Sequence, residues 1–156
     1  MAIRNIVQDG DPILNKTCRP VEKFDEKLAI LLDDMTETVL AANGAGLAAN
    51  QVGILRRAII VVNIEDDSII ELVNPEILES DGEQDGAEGC LSFPGQYGMV
   101  KRPNHVKVRA QDRKGNFFEI EGTEFLARTF CHETDHLNGI VFKQRASRIL
   151  SEDDME

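Results

Sequence analysis

The segment His132-Glu133-Thr134-Asp135-His136 constrains this chain more than any other stretch. Two histidines four residues apart can grip one ion only if the backbone between them is helical, because the 3.6-residue period puts i and i+4 on one face. The H-E-x-x-H pattern therefore predicts a helix near the C-terminal end with its imidazoles turned toward a shared ion. Glu133 then stands beside that ion, where it can take a proton from a bound water, and the chemistry implied is attack of that water on a carbonyl. Histidines at this spacing also occur as plain surface residues. The chain has only three histidines, however, and two of them are here.

A catalytic ion of this kind needs a third protein ligand and one open position. Cys131 points about 100° away from His132 on a helix, so core packing suits it better. Cys18 lies in Asn15-Lys16-Thr17-Cys18-Arg19-Pro20 with no ligand-like neighbours, and His105 opens a strand beside Arg102, as a surface residue would. Cys90, in Glu88-Gly89-Cys90-Leu91-Ser92, is the best candidate. The glycine before it lets the backbone approach another element closely. The plain alternative for Cys90 is a buried cysteine at the end of a loop.

At 156 residues the chain is long enough for one domain, expected over 1–150, with an acidic tail over 151–156. Seventeen basic and 28 acidic side chains give a net charge of -11, which argues against broad binding of nucleic acid or anionic membrane. No long apolar run predicts a membrane span or secretory leader. Three cysteines without a close-spaced pair suit a reducing, cytoplasmic compartment better than a disulfide framework.

Glu26 to Ala42 reads as a helix, with Leu28, Leu31, Leu32, Met35, Val39 and Leu40 forming one apolar stripe, Asp25 as N-cap and Asn43-Gly44 as stop. Met1 to Val7 reads as an edge strand or extended arm. Arg57–Val62 and Ser68–Val73 read as strands, the second ended by Asn74-Pro75, and Ser80–Gly86 as a loop. Val106–Ala110 and Asn116–Ile120 read as a hairpin around Asp112-Arg113-Lys114-Gly115. Glu124 to Leu137 reads as the second helix, with Thr123 as N-cap, Asn138-Gly139 as stop, and Phe125, Thr129, His132 and His136 facing inward. This order predicts an α+β fold of mainly antiparallel sheet.

One further stretch, Gly44-Ala45-Gly46-Leu47-Ala48-Ala49-Asn50-Gln51, has the small residues of a cleft wall and an amide donor at its end. A turn-and-packing role for its glycines remains the plain alternative. Taken with Glu88–Ser92 and His132–His136, this stretch closely resembles the peptide deformylase family, which carries G-φ-G-φ-A-A-x-Q, E-G-C-L-S and H-E-x-D-H in this order (φ apolar). Ile6-Val7, Asp11-Pro12-Ile13-Leu14 and Pro20-Val21 extend the resemblance over almost the whole chain. Two positions depart from the family pattern: Cys131 where Gln is usual, raising oxidation chemistry near the site, and Ala45 where Ile or Val is usual, widening a methionine pocket.

The resemblance implies antiparallel sheets packed around the histidine helix, with a further long N-terminal helix. It also implies removal of the formyl group from N-formylmethionine on new polypeptides. Its metal is Fe(II), with Zn, Ni or Co as substitutes, held by Cys90, His132 and His136. Glu133 would act as base, and Gln51 with the Leu91 backbone N–H as oxyanion donors. Gly44, Ala45, Gly46 and Gly89 would receive the substrate backbone, and Phe125, Arg128 and Thr129 would line the methionine pocket. Phe125 serves equally well as core. Asp135 is assigned either to a ligand histidine or to Arg102, and Glu88 equally to Arg102; the sequence does not choose. Partners would be N-formylmethionyl peptides and nascent chains, with transient proximity to the ribosome, since the acidic end lacks the basic helix that docks some members stably. The rival readings are a zinc peptidase and a non-enzymatic metal or redox sensor.

Overall fold

The computed structural model describes residues 2–151. Its helices are α1 (Glu26–Ala41), α2 (Glu124–Leu137) and the short α3 (Phe142–Arg145). Its strands are β1 (Gly46–Ala48), β2 (Ala58–Asn63), β3 (Ser68–Asp81), β4 (Gln84–Cys90), β5 (Phe93–Arg102), β6 (His105–Gln111), β7 (Phe117–Thr123) and β8 (Arg148–Leu150). They form a five-stranded sheet in the order β1-β2-β3-β6-β7 and a three-stranded sheet in the order β4-β5-β8. All neighbouring strands in both sheets run antiparallel, so the fold is α+β.

The larger sheet is covered on both faces, which explains the uninterrupted apolar run of β2. Ala58, Ile60 and Val62 turn toward Leu28, Leu31, Leu32, Met35 and Val39 of α1. Ile59 and Val61 turn the other way, toward Ala127, Phe130, Cys131 and Leu137 of α2. Strand alternation thus sends one run of side chains into two cores. Complete burial of chains such as Leu32, Met35 and Ile60 stabilises the fold by about 1.5–3 kcal/mol each. A third cluster, built on Leu14, Phe93, Val100, Val141 and Phe142, underlies the smaller sheet.

The first helix forms and buries its predicted stripe except for Leu40, which in the last turn is 50% exposed. The Asp25 side chain accepts from the Leu28 N–H at 3.1 Å, and Asn43, at φ 55°, supplies the left-handed residue after the last turn. Met1 lies outside the described residues; the rest of the N-terminal segment is an arm rather than a strand. It is pinned where the Val7 N–H reaches the Gln51 carbonyl at 2.7 Å.

Three expectations need correction. Asn74-Pro75 does not end a strand: β3 continues to Asp81, with a register shift between Val73 and Glu76 that accommodates the missing proline N–H. Ser80–Gly86 is not a loop, since only Gly82 and Glu83 separate β3 from β4; polar, exposed side chains hide both strands from a hydrophobicity reading. Thr123 stands at the N-cap position of α2 but its side chain makes no cap bond. Instead β7 passes directly into α2, with Glu124 at φ 55° and its N–H donated to the Asn104 carbonyl at 2.8 Å. Residues 152–156 of the expected acidic tail lie outside the described residues.

Candidate metal centre

Helix α2 runs along the sheet face and is buried nearly all round, including Arg128, Thr129, His132, Glu133, Thr134 and His136. A helix whose polar side chains are interior needs partners for each of them. For Arg128, His132 and His136 those partners come from β4, through Glu88 and Cys90, while Glu133 Oε1, Thr134 Oγ1 and His136 Nδ1 have none among the described residues.

Cys90 ends β4, just before the Leu91-Ser92 turn into β5. Its Sγ lies 3.3 Å from His136 Nε2, and His136 Nε2 lies 3.2 Å from His132 Nε2. All three donor atoms fall within 4.8 Å of one another. The other candidates for a third ligand are elsewhere. Cys18 and Cys131 are packed in the core, and His105 is at the surface between Asp81 and Glu121.

The protonation of His132 follows from its partner. Its Nδ1 is 2.6 Å from Glu88 Oε2. Burial opposes ionisation of Glu88, but hydrogen bonds from His132 and Arg102 outweigh it and hold the carboxyl well below its ordinary range. An ionised carboxylate can only accept, so Nδ1 carries a proton and Nε2 faces inward. Burial holds His136 well below its usual basicity, hence neutral. His132 moves the other way: against the cost of burial, the Glu133 charge and bonds to Cys90 and Glu88 raise its basicity. Two inward-facing imidazole nitrogens, of which the His132 one would give up its proton to an ion, and a sulfur form a cradle for a soft or borderline cation. Ligand bonds of about 2.0–2.3 Å at tetrahedral angles separate donor atoms by about 3.4–3.6 Å, close to the two distances found. The donor set therefore fits a divalent transition metal.

Glu88 answers the question the sequence left open. Its two oxygens take Arg102 Nε and Nη2 at 3.1 and 2.7 Å, Arg128 Nη1 at 2.9 Å and His132 Nδ1. Asp135 binds Arg102 Nη1 at 2.6 Å and also Arg145. Both acids thus hold Arg102, while of the two only Glu88 also bonds a histidine of the candidate centre, His132. Its role was missed, although Glu88 and Cys90, two residues apart on one strand, could have suggested it.

The centre opens, through Cys90 and His132, onto a cleft of about 500 Å³. Cys90, His132 and Glu133 line it together with Gln51, Leu91, Gly44, Ala45, Gly46, Gly89, Phe125, Arg128 and Thr129; His136 sits behind them, fully buried. Phe125 is 45% exposed at the rim, so it does not face the core as its helical spacing suggested. The segment Phe93–Tyr97 also lines the cleft and was not foreseen. Its glycine and polar residues carry no strand pattern, and it borders the site only because β5 pairs back onto β4.

Gln51 is pinned in place: its Oε1 accepts the Ala48 N–H at 2.9 Å, and its Nε2 reaches Ser92 Oγ at 3.1 Å and Cys90 Sγ at 3.4 Å. Burial pushes the Glu133 carboxyl up to about 7, outweighing the pull of His132. Its Oε1 has no hydrogen-bond partner among the described residues. A buried carboxylate poised near neutrality, with an uncommitted oxygen, is suited to accept and return a proton. Two of the glycines also have a packing reason. A Cβ on Gly89 would lie 2.6 Å from Tyr97 Cε1, and one on Gly46 would lie 2.6 Å from Glu133 Oε2, so the protein's own side chains occupy that space.

A sulfur, two imidazoles and a buried carboxylate beside an open cleft make up the kind of centre found in metal-dependent hydrolases. The polypeptide deformylase family model matches residues 3–152. The chain is 52% identical over its full length to a peptide deformylase of Acetivibrio thermocellus, covering 91% of it. It is 54% identical over 93% of its length to one of Alkaliphilus metalliredigens, covering 97% of that protein. Among solved structures, a peptide deformylase from Legionella pneumophila superposes with a TM-score of 0.89 at 44% identity, over 97% of this chain and 88% of that one. One from Thermotoga maritima gives 0.89 at 40% identity, over 93% and 98%. The chain belongs to the polypeptide deformylase family. Its reaction is removal of the formyl group from nascent peptides.

Proposed function

We propose that Cys90, His132 and His136 hold one divalent transition metal, Fe(II) physiologically with Zn, Ni or Co as substitutes, and that the centre deformylates N-formylmethionyl nascent chains. The observation that carries this reading is the convergence of three donor atoms within 4.8 Å beside the Glu133 carboxylate. When bound, the ion supplies Lewis acidity toward the formyl carbonyl and toward a water.

The remaining work falls to side chains. Glu133 takes the proton of the attacking water and returns it to the departing amine. The Gln51 amide and the Leu91 N–H donate to the oxygen that gains charge as the carbonyl carbon becomes tetrahedral; loss of such a donor typically costs about 10²–10³ in kcat. The rim and floor around Phe125, Arg128 and Thr129 receive the methionine side chain, with Arg128 contributing its aliphatic stem. Glu88 fixes the His132 ring.

We place the enzyme in the cytoplasm, in keeping with three free cysteines, and its encounters with the ribosome as transient. No described helix is long and apolar enough to cross a membrane.

The test is formate release from formyl-Met-Ala-Ser beside the unformylated peptide. Internal cleavage without formate would indicate a peptidase. Glu133→Ala should retain metal and lose turnover; an unchanged rate would remove Glu133 from its role.

A further inference from the structure

The N-terminal arm bridges the two sheets. Ile6 packs against the core under α1, and Val7 packs against the cluster beneath the smaller sheet. We infer that this arm is a positioning element for the reaction: Val7, Gln8 and Asp9 hold Gln51 and Leu91 in register with one another. This rests on the assignment of those two residues as oxyanion donors.

The two donors come from different sheets. Gln51 stands in the turn after β1, and Leu91 stands between β4 and β5. Their spacing therefore depends on how the sheets sit together. The bond from Gln51 Nε2 to Ser92 Oγ, at 3.1 Å, is a direct tie. The arm adds further ties, made to backbone. The Val7 N–H donates to the Gln51 carbonyl at 2.7 Å, and the Asp9 N–H to the Ser92 carbonyl at 2.9 Å. Between them, Gln8 Nε2 reaches the Leu91 carbonyl at 3.4 Å. A carbonyl held at its oxygen fixes its peptide plane, and the Leu91 N–H is one pair of backbone dihedrals away.

The arm is itself braced where it grips. Gln8 Nε2 also donates to the Ile6 carbonyl at 3.1 Å. The Asp11 N–H donates to the Gln8 carbonyl at 3.2 Å, and Gly10 has φ 98°, the pattern of a type II turn. Such a turn favours proline at its second position, here Asp9. Asp9→Pro therefore suits the turn and removes the N–H that Ser92 accepts. Asp9→Ala keeps that N–H and loses the carboxylate, which lies 3.9 Å from Lys143 Nζ.

The experiment measures kcat, KM and bound metal with formyl-Met-Ala-Ser on the metal-loaded full chain. Asp9→Pro should have a kcat about 5- to 30-fold below that of Asp9→Ala, with KM within about twofold, because a displaced donor weakens the transition state and spares binding. The two variants should carry equal metal. Equal kcat in the two, a change confined to KM, or metal lost from Asp9→Pro overturns the inference. Should Asp9→Pro fail to fold, Gln8→Met takes its place: kcat should fall about two- to fivefold at constant KM, and an unchanged kcat overturns the inference. Gln51→Ala is the reference. Parental kcat in that variant removes the oxyanion assignment itself, and absence of formate from the parent overturns the reading of the cleft.

Discussion

Gly46 and Glu133 occupy one another's space: a Cβ on Gly46 would stand 2.6 Å from Glu133 Oε2 and 2.8 Å from its Cγ. The absence of a side chain on the edge strand is what lets the carboxylate lie where it does. Gly46→Ala should therefore displace the Glu133 carboxylate while leaving the core intact, because a side chain and not backbone must give way. A misplacement of about 1 Å can cost on the order of 10²-fold in rate. We expect kcat to fall about 10- to 100-fold, with metal content and melting temperature close to those of the parent. A kcat within twofold of the parent would show that Glu133 adapts freely.

Arg128 stands between two roles. Its stem lines the cleft, and its Nη1 holds Glu88 Oε1 at 2.9 Å, with both residues buried. Arg128→Met keeps much of the stem and removes the charge. If Glu88 orients His132, metal affinity should drop about 10- to 100-fold, as when an outer partner of a ligand is lost, while KM for formyl-Met-Ala-Ser changes little. Chelator competition measures the first quantity. Unaltered affinity with a raised KM would reduce Arg128 to a wall.

The legible part of this molecule is the part written in short-range pattern. Asp25 with the Leu28–Val39 stripe specifies α1, and the His132–His136 spacing specifies both a helix and a ligand pair. Cys90 could be chosen because its competitors were badly placed. The cleft segment Phe93–Tyr97 was illegible, since it borders the site through cross-strand pairing that no local pattern encodes. The length of β3 was hidden by Pro75, which marks a bulge where a strand end was expected. The link from Glu88 to His132 depends on where β4 lies against α2, a tertiary fact. Cys131 looked like a redox liability from its place beside a ligand. In the structure it is buried, and burial pushes its thiol up to about 11, which disfavours the reactive thiolate.

Cys18 gives a test of pH dependence. It is 2% exposed, and burial pushes its thiol from 9.0 up to about 11, with Arg57 opposing weakly. Between those values the unfolded chain releases this proton and the folded chain keeps it. The folded state then binds more protons, so stability falls as pH rises through that window. At about 1.4 kcal/mol per unit, the loss is on the order of 2–3 kcal/mol. Urea unfolding at pH 8.5 and 10.5 should show it, and Cys18→Ala should have a shallower pH slope than the parent whatever its absolute stability. Parallel slopes would mean that the thiol ionises in place.

Cys90 carries the last expectation. Of the three cysteines it is the one that lines the cleft, so it alone meets dissolved oxidants while still in contact with the ligand histidines. A ferrous ion bound through an accessible sulfur is exposed to oxygen, and oxidation of either partner weakens the bond. Protein prepared without oxygen should carry iron and high activity, and aerobic handling should lower both together. Zinc or nickel replacement should resist air, because neither ion is readily oxidised there. Cys90→Ser should lose metal under both conditions, since a serine hydroxyl is seldom ionised at neutral pH and cannot replace the sulfur donor. Equal iron content and equal rates in aerobic and anaerobic preparations would count against the ferrous assignment, whereas normal metal content in Cys90→Ser would count against the sulfur ligand itself.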